Sequence, residues 1–206
     1  MKTILCYGDS NTFGFNPENG KRFDENSRWS GILKSKLKKF EIIEEGLNNR
    51  LGVAISQNGE EYSPILHLPK VIEKIKPDII ILAIGANDYQ FQYSVDEFSF
   101  EIEYKKIIHF AKLKNIEVVI IPPPIIGDEI LNSWFSSLFN EKSVEKSKKF
   151  NFIYKKIAQE LNCKFFDFND FIKPSNIDGL HYTKESHKLI AQNLKLFIEE
   201  NFNHQA

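Results

Sequence analysis

The chain has 206 residues, 42% of them hydrophobic and 27% charged, with a formal net charge of −1. That balance fits a single globular domain with room for a sizeable core, and it carries no electrostatic footprint of a nucleic-acid binder. No apolar run approaches the roughly 20 residues of a membrane-spanning helix, and the N-terminus lacks the features of a signal peptide, so a cytoplasmic protein that binds neither membrane nor nucleic acid is expected.

Strand-like and helix-like stretches alternate along the sequence. Residues 3–7 read as a first strand. Residues 29–38 read as a helix with Trp29, Ile32, Leu33 and Leu37 on one side. The basic run Lys34-Ser35-Lys36-Leu37-Lys38-Lys39 could bind phosphate, but a solvated helix face explains it more simply. Residues 41–45 form a second, shorter strand. Leu68, Val71, Ile72 and Ile75 recur at helical spacing and stop before Pro77. Residues 79–84 are continuously apolar, the mark of a parallel strand buried on both faces. A long helical stretch over 95–114 precedes a strand over 117–121, which Pro122-Pro123-Pro124 cuts. Residues 141–161 are mostly helical, and 164–168 form a fifth strand. Thr183 can cap a last helix in which Ile190, Leu194, Phe197 and Ile198 line one face. Both cysteines, Cys6 and Cys163, fall in apolar strand-like segments and read as buried free thiols.

Five strands separated by helices predict an α/β fold, a three-layer α/β/α sandwich with a five-stranded parallel sheet of flavodoxin-like type, in one domain over 1–206. Ligands of such sheets bind at the carboxyl ends of the strands. The chemistry-bearing segments all fall at those ends. Gly8-Asp9-Ser10 leaves the first strand, Gly85-Ala86-Asn87-Asp88 leaves the third, and Asp178-Gly179-Leu180-His181 follows the last. A serine, a histidine and an aspartate are the parts of a nucleophilic hydrolase: Ser10 attacks, His181 removes its proton, and Asp178 fixes the ring. Asn87 is placed to donate a hydrogen bond to a developing oxyanion. Asp9 either braces the nucleophile turn or serves as the acid. His109 and His204 read as non-catalytic, and His187 as a surface or partly buried residue of the last helix.

These three blocks resemble the SGNH hydrolases, the GDSL esterase/lipase superfamily, in order and spacing over nearly the whole chain. Arg28-Trp29-Ser30-Gly31, the segment Ile42 to Arg50, the proline run and Trp134-Phe135 are similar to the small bacterial arylesterase/acyltransferase branch. The resemblance implies hydrolysis of short-chain carboxylic esters through an acyl-enzyme, with acyl transfer to alcohols in some members. It implies no cofactor and no metal, a small-molecule ester as partner, and in some relatives a homo-oligomer. It also implies an oxyanion hole made by the N–H groups of Ser10 and Asn49 with the Asn87 amide, Gly46 being the alternative to Asn49. Asn tolerates the left-handed backbone that such a turn can need. The expected pocket comprises Asn11, Phe13, Asn48, Ala86, Phe135, Phe139 and Leu180. Phe15 lies beside Ser10 in sequence, and Trp134, Phe135 and Phe139 are either core or pocket wall. The proline run is expected as a rigid wall of the pocket.

Three other readings compete with this one. A nucleotide-binding flavodoxin-like module would need a phosphate-cradling first loop, and Gly8-Asp9-Ser10-Asn11-Thr12 puts an acid there instead. A carbohydrate O-acetyl esterase shares the expected machinery. A non-catalytic carbohydrate-binding relative would be favoured by loss of Ser10 or His181, and both are present.

Overall fold

The computed structural model describes residues 1–202. Five strands, β1 (Lys2–Gly8), β2 (Phe40–Gly46), β3 (Ile79–Ala83), β4 (Glu117–Ile120) and β5 (Lys164–Phe165), form one sheet in the order β2-β1-β3-β4-β5. Every pairing is parallel, so each connection crosses over a face of the sheet. The helices are α1 (Ser10–Phe13), α2 (Trp29–Lys36), α3 (Pro64–Ile75), α4 (Glu97–Leu113), α5 (Glu141–Glu160) and α6 (Lys184–Phe202).

Alternation along the central strands divides the core in two. Leu5, Tyr7, Ile80, Leu82, Val118 and Ile120 pack with α3, α4 and α5. Ile4, Cys6, Ile79, Ile81 and Val119 pack with α2 and α6. Both faces of the sheet are thus covered, which is why the third strand reads as an unbroken apolar run. Thr183 Oγ1 accepts from Ser186 N at 3.2 Å and caps α6 as expected.

Some boundaries differ from the sequence expectation. β5 pairs only over Lys164–Phe165 rather than over five residues; it is an edge strand, and after one more bond, Phe166 N to Ile120 O at 3.0 Å, the chain turns at Phe168. α3 begins four residues before Leu68, at Pro64, where a proline in the first turn forgoes no helical hydrogen bond. Cys6 is buried as expected, but Cys163 is only half-buried; both thiols are free.

The register of the first three strands builds the rim. Gly8 is paired with Gly46 on one side and with Ala83 on the other. Leu47 N donates to Gly8 O at 3.1 Å and Asp9 N to Ala83 O at 3.3 Å. The exits of β2, β1 and β3 therefore lie side by side, where the strand order reverses. Gly46 makes this possible: a Cβ there would sit 2.2 Å from Phe13 N, so only glycine lets α1 cross the end of β2. Gly85 has φ of 125° and lies against the Tyr154 hydroxyl, which donates to Ile84 O at 2.8 Å.

Candidate active site

The turn that carries Ser10 is built by Asp9, whose Oδ1 accepts from Asn11 N at 3.0 Å and caps α1. Ser10 is then the first helical residue, and its N–H has no acceptor within the helix. Ser10 Oγ lies 2.9 Å from His181 Nε2, and His181 Nδ1 lies 2.7 Å from Asp178 Oδ2. Asp178 Oδ1 accepts from Leu180 N and His181 N, both at 2.9 Å, so one carboxylate shapes the loop and faces the ring. With a carboxylate at Nδ1, the neutral imidazole carries its proton there and leaves Nε2 to accept from the Ser10 hydroxyl. The three side chains are buried, with 7% of Ser10 exposed.

Asn11 holds the histidine loop from both sides. Its Nδ2 donates to Leu180 O at 3.2 Å, and its Oδ1 accepts from Tyr182 N at 3.1 Å, the two residues that flank His181. Trp29 Nε1 donates to Asn11 O at 3.1 Å and ties α2 to the same point. The Phe15 ring is centred 4.2 Å from the His181 ring and the Phe135 ring 5.3 Å from it. Asp9 is buried, and burial pushes its carboxyl up to about 6 against the pull of the Asn11 N–H and of His181. It braces the turn and makes no hydrogen bond to the histidine; the carboxylate on Nδ1 belongs to Asp178.

The second wall comes from the exits of β2 and β3. The turn after β2 closes with Arg50 N donating to Leu47 O at 3.2 Å, and within it Asn49 is exposed with φ of 62°. Asn87 lies on the single turn Ala86–Tyr89. Its Nδ2 donates to Arg50 O at 2.9 Å and its Oδ1 accepts from Gln90 Nε2 at 2.9 Å.

Three residues that sequence reasoning gave no role hold this wall. The buried Arg50 guanidinium donates to Gly8 O at 2.9 Å, to Glu45 O, and to Glu61 O at 3.0 Å, and lies 4.1 Å over the Tyr7 ring. It therefore joins the exits of β1 and β2. Asp88 accepts from Gly52 N, from Val53 N at 3.0 Å and from Ala54 N at 2.9 Å, which fixes the loop after Arg50. Burial raises its carboxyl, and the three N–H groups offset part of that rise. The third is Gln90. Arg50 and Asp88 belong to the motif segments without a role read from them, and Gln90 had only its proximity to Asn87 as a signal.

The expected pocket residues are dispersed. Asn48 is half-buried, and its Oδ1 has no hydrogen-bond partner. Phe13 lies under Arg22, whose guanidinium is 4.6 Å from its ring. Phe139, Ala86 and Leu180 are core residues, and Asn11 is a buried staple rather than a free lining group. Trp134 is 61% exposed, so it is not core. Pro122, Pro123 and Pro124 are buried and line a cavity of about 20 Å³ with Asp9, Asn11, Trp29 and Tyr182. His187 is fully buried, not superficial, because α6 packs against α2 there and Trp29 N donates to its Nδ1 at 3.3 Å. His109 is on α4, and His204 lies outside the described residues.

Solved structures share this architecture. The structure of a carbohydrate acetylesterase family member from Sinorhizobium meliloti is 27% identical, with a TM-score of 0.88 over 97% of this chain and 98% of that one. The native M. smegmatis aryl esterase is 25% identical, with a TM-score of 0.89 over 97% and 99%. A lipase/acylhydrolase from Enterococcus faecalis, at 17% identity and a TM-score of 0.73 over 97% and 96%, shares the fold. No curated protein sequence matches the chain significantly. The sequence pattern of the GDSL-like lipase/acylhydrolases matches residues 4–194, and the chain belongs to that family of ester hydrolases.

Proposed function

We propose that the protein is a serine esterase that cleaves short-chain, acetyl-like carboxylic esters through an acyl-enzyme. The observation that carries this reading is the unbroken hydrogen-bonded line from Ser10 Oγ through His181 to Asp178. Ser10 Oγ attacks the ester carbonyl carbon while its proton passes to His181 Nε2, and Asp178 steadies the imidazolium. The Ser10 and Asn49 N–H groups and the Asn87 amide receive the oxyanion from three adjacent strand ends. Collapse breaks the bond to the alcohol oxygen, which leaves with the proton from Nε2. Water then attacks the acyl carbon and gives its proton to His181 Nε2; collapse breaks the bond to Ser10 Oγ, which takes that proton back from Nε2 as the acid leaves.

A small acyl group is supported by the Phe15 and Phe135 rings against His181, which crowd the space beside Ser10. The same rings reduce the local share of water, so an alcohol can compete for the acyl-enzyme. The neighbouring carbohydrate acetylesterase supports a second reading, in which the alcohol is a sugar. The deciding experiment compares p-nitrophenyl acetate, butyrate and octanoate with an acetylated sugar, and adds benzyl alcohol to a vinyl acetate reaction. Preference for acetyl esters with formation of benzyl acetate is expected. Octanoate cleavage as fast as acetate with no benzyl acetate would leave a general esterase. Acetyl-sugar turnover far above that of the aryl ester would select the second reading.

A further inference from the structure

We infer that Gln90 is a positioning residue for the reaction, acting by fixing which end of the Asn87 amide faces the oxyanion. The inference rests on the serine esterase reading above. An asparagine amide has two nearly isosteric orientations, and only one presents N–H groups to a negative charge. At Asn87 the two ends meet partners of opposite kind. Arg50 O, which can only accept, is 2.9 Å from Nδ2; Gln90 Nε2, which can only donate, is 2.9 Å from Oδ1. Nδ2 spends one hydrogen on Arg50 O and keeps the second for the site.

Gln90 is itself oriented. Its Oε1 accepts from Gln92 Nε2 at 2.8 Å, so its own Nε2 must point at Asn87. Its backbone N donates to Asn87 O at 3.3 Å, and only 5% of the residue is exposed. Solvent therefore competes little at Gln90 and Asn87, and a line of hydrogen-bonded amides that ends on a carbonyl, which can only accept, has one low-energy direction. The direction runs from Gln92 through Gln90 and Asn87 to Arg50 O. Arg50 O is in turn fixed by the guanidinium that grips Gly8 O, on the residue two before the nucleophile. The donor and the nucleophile are thus referenced to the same strand end.

The test uses the full chain and p-nitrophenyl acetate at pH 8. Gln90→Glu keeps size and replaces the donor with a carboxylate that can only accept. The Asn87 amide then gains by reversing and offering its oxygen to the oxyanion. kcat should fall on the order of 10²-fold, close to the loss from Asn87→Ala, with KM within about twofold. Gln90→Met removes the donor without adding an acceptor, and Arg50 O still favours the working orientation. Its kcat should fall only about fivefold, the factor that one neutral hydrogen bond corresponds to. In an Asn87→Ala background both Gln90 substitutions should have no further effect on kcat, which separates positioning from general damage. Circular dichroism and thermal melts confirm folding of each variant, and Gln90→Met carries the test if Gln90→Glu does not fold. Equal losses in the presence and absence of Asn87, or a raised KM with unchanged kcat, would overturn the inference. An inactive wild-type chain would remove the esterase reading and the inference with it; an active wild type with unimpaired Gln90 variants would remove the inference alone.

Discussion

His181 and His187 are six residues apart and equally hidden, at 2% and 0% exposure, yet their surroundings give them opposite chemistry. His181 has a carboxylate 2.7 Å from Nδ1 and a hydroxyl 2.9 Å from Nε2. It can take up a proton because Asp178 stands ready to compensate the charge. His187 accepts a single bond from Trp29 N, its Nε2 has no partner, and the Phe23 and Tyr182 rings meet it edge-on. Burial, with the nearby His181, pushes its pKa down to about 3, so it is locked neutral. Partners, more than burial, decide which histidine can serve as a base.

The sharpest break in that comparison is to remove the compensating charge. Asp178→Asn should lower kcat on p-nitrophenyl acetate by about 10⁴-fold, because the amide no longer holds the tautomer or the imidazolium. His187→Leu should leave kcat within a few-fold of wild type. Steady-state kinetics of the two variants side by side check this, and a comparable loss in both would erase the distinction.

Next comes the frame around His181. Asn11→Ala deletes the bonds to Leu180 and Tyr182 on both sides of the ring. The Ser10–His181 distance is then no longer fixed, and a displacement of about 1 Å can cost about 10²-fold in kcat. Thermal stability should also drop, by about 1 kcal/mol for each buried hydrogen bond lost. A variant that loses stability but keeps kcat would show that the loop holds its own geometry through Asp178.

The smallest effect is read in pH. The folded pKa of His187 is depressed, so its neutral form stabilises the fold above the unfolded value near 6.5. That contribution is lost progressively as the pH falls from 6.5 toward 3. At pH 5 the loss is about 2 kcal/mol, or several degrees in Tm. Calorimetry at pH 8 and pH 5 should show a smaller acid-induced drop in His187→Leu than in wild type. Parallel drops would mean that other groups carry the acid sensitivity.

Most of the frame was legible in the sequence because local patterns wrote it. Residues 79–84 are apolar on both faces since both faces are covered, and Thr183 caps α6 as its position before the last helix implies. β5 was overdrawn because an edge strand needs only one neighbour, and an apolar stretch continues past the paired residues. Ser10, Asp178, His181 and Asn87 stood out because the chemistry demands particular residue types at strand ends. Asn11 was expected as a pocket residue rather than as a staple, and Arg50 and Gln90 carried no role, because what these three do is tertiary. Asn11 reaches Leu180 across 169 positions, and Arg50 reaches Gly8 across 42. His187 was misread, and Phe139 was left open between core and pocket wall, for the same reason: composition gives no sign of which side of a helix or loop the rest of the chain will cover.

The central claim is that Ser10 is the nucleophile, and the most direct measurement is covalent labelling of the native chain with a fluorophosphonate, read by peptide mass spectrometry. One label per chain on the peptide containing Ser10, gained in step with loss of esterase activity and absent from a folded Ser10→Ala variant, is the expected result. A label on another residue, or Ser10→Ala turning over p-nitrophenyl acetate at the wild-type rate, would contradict it.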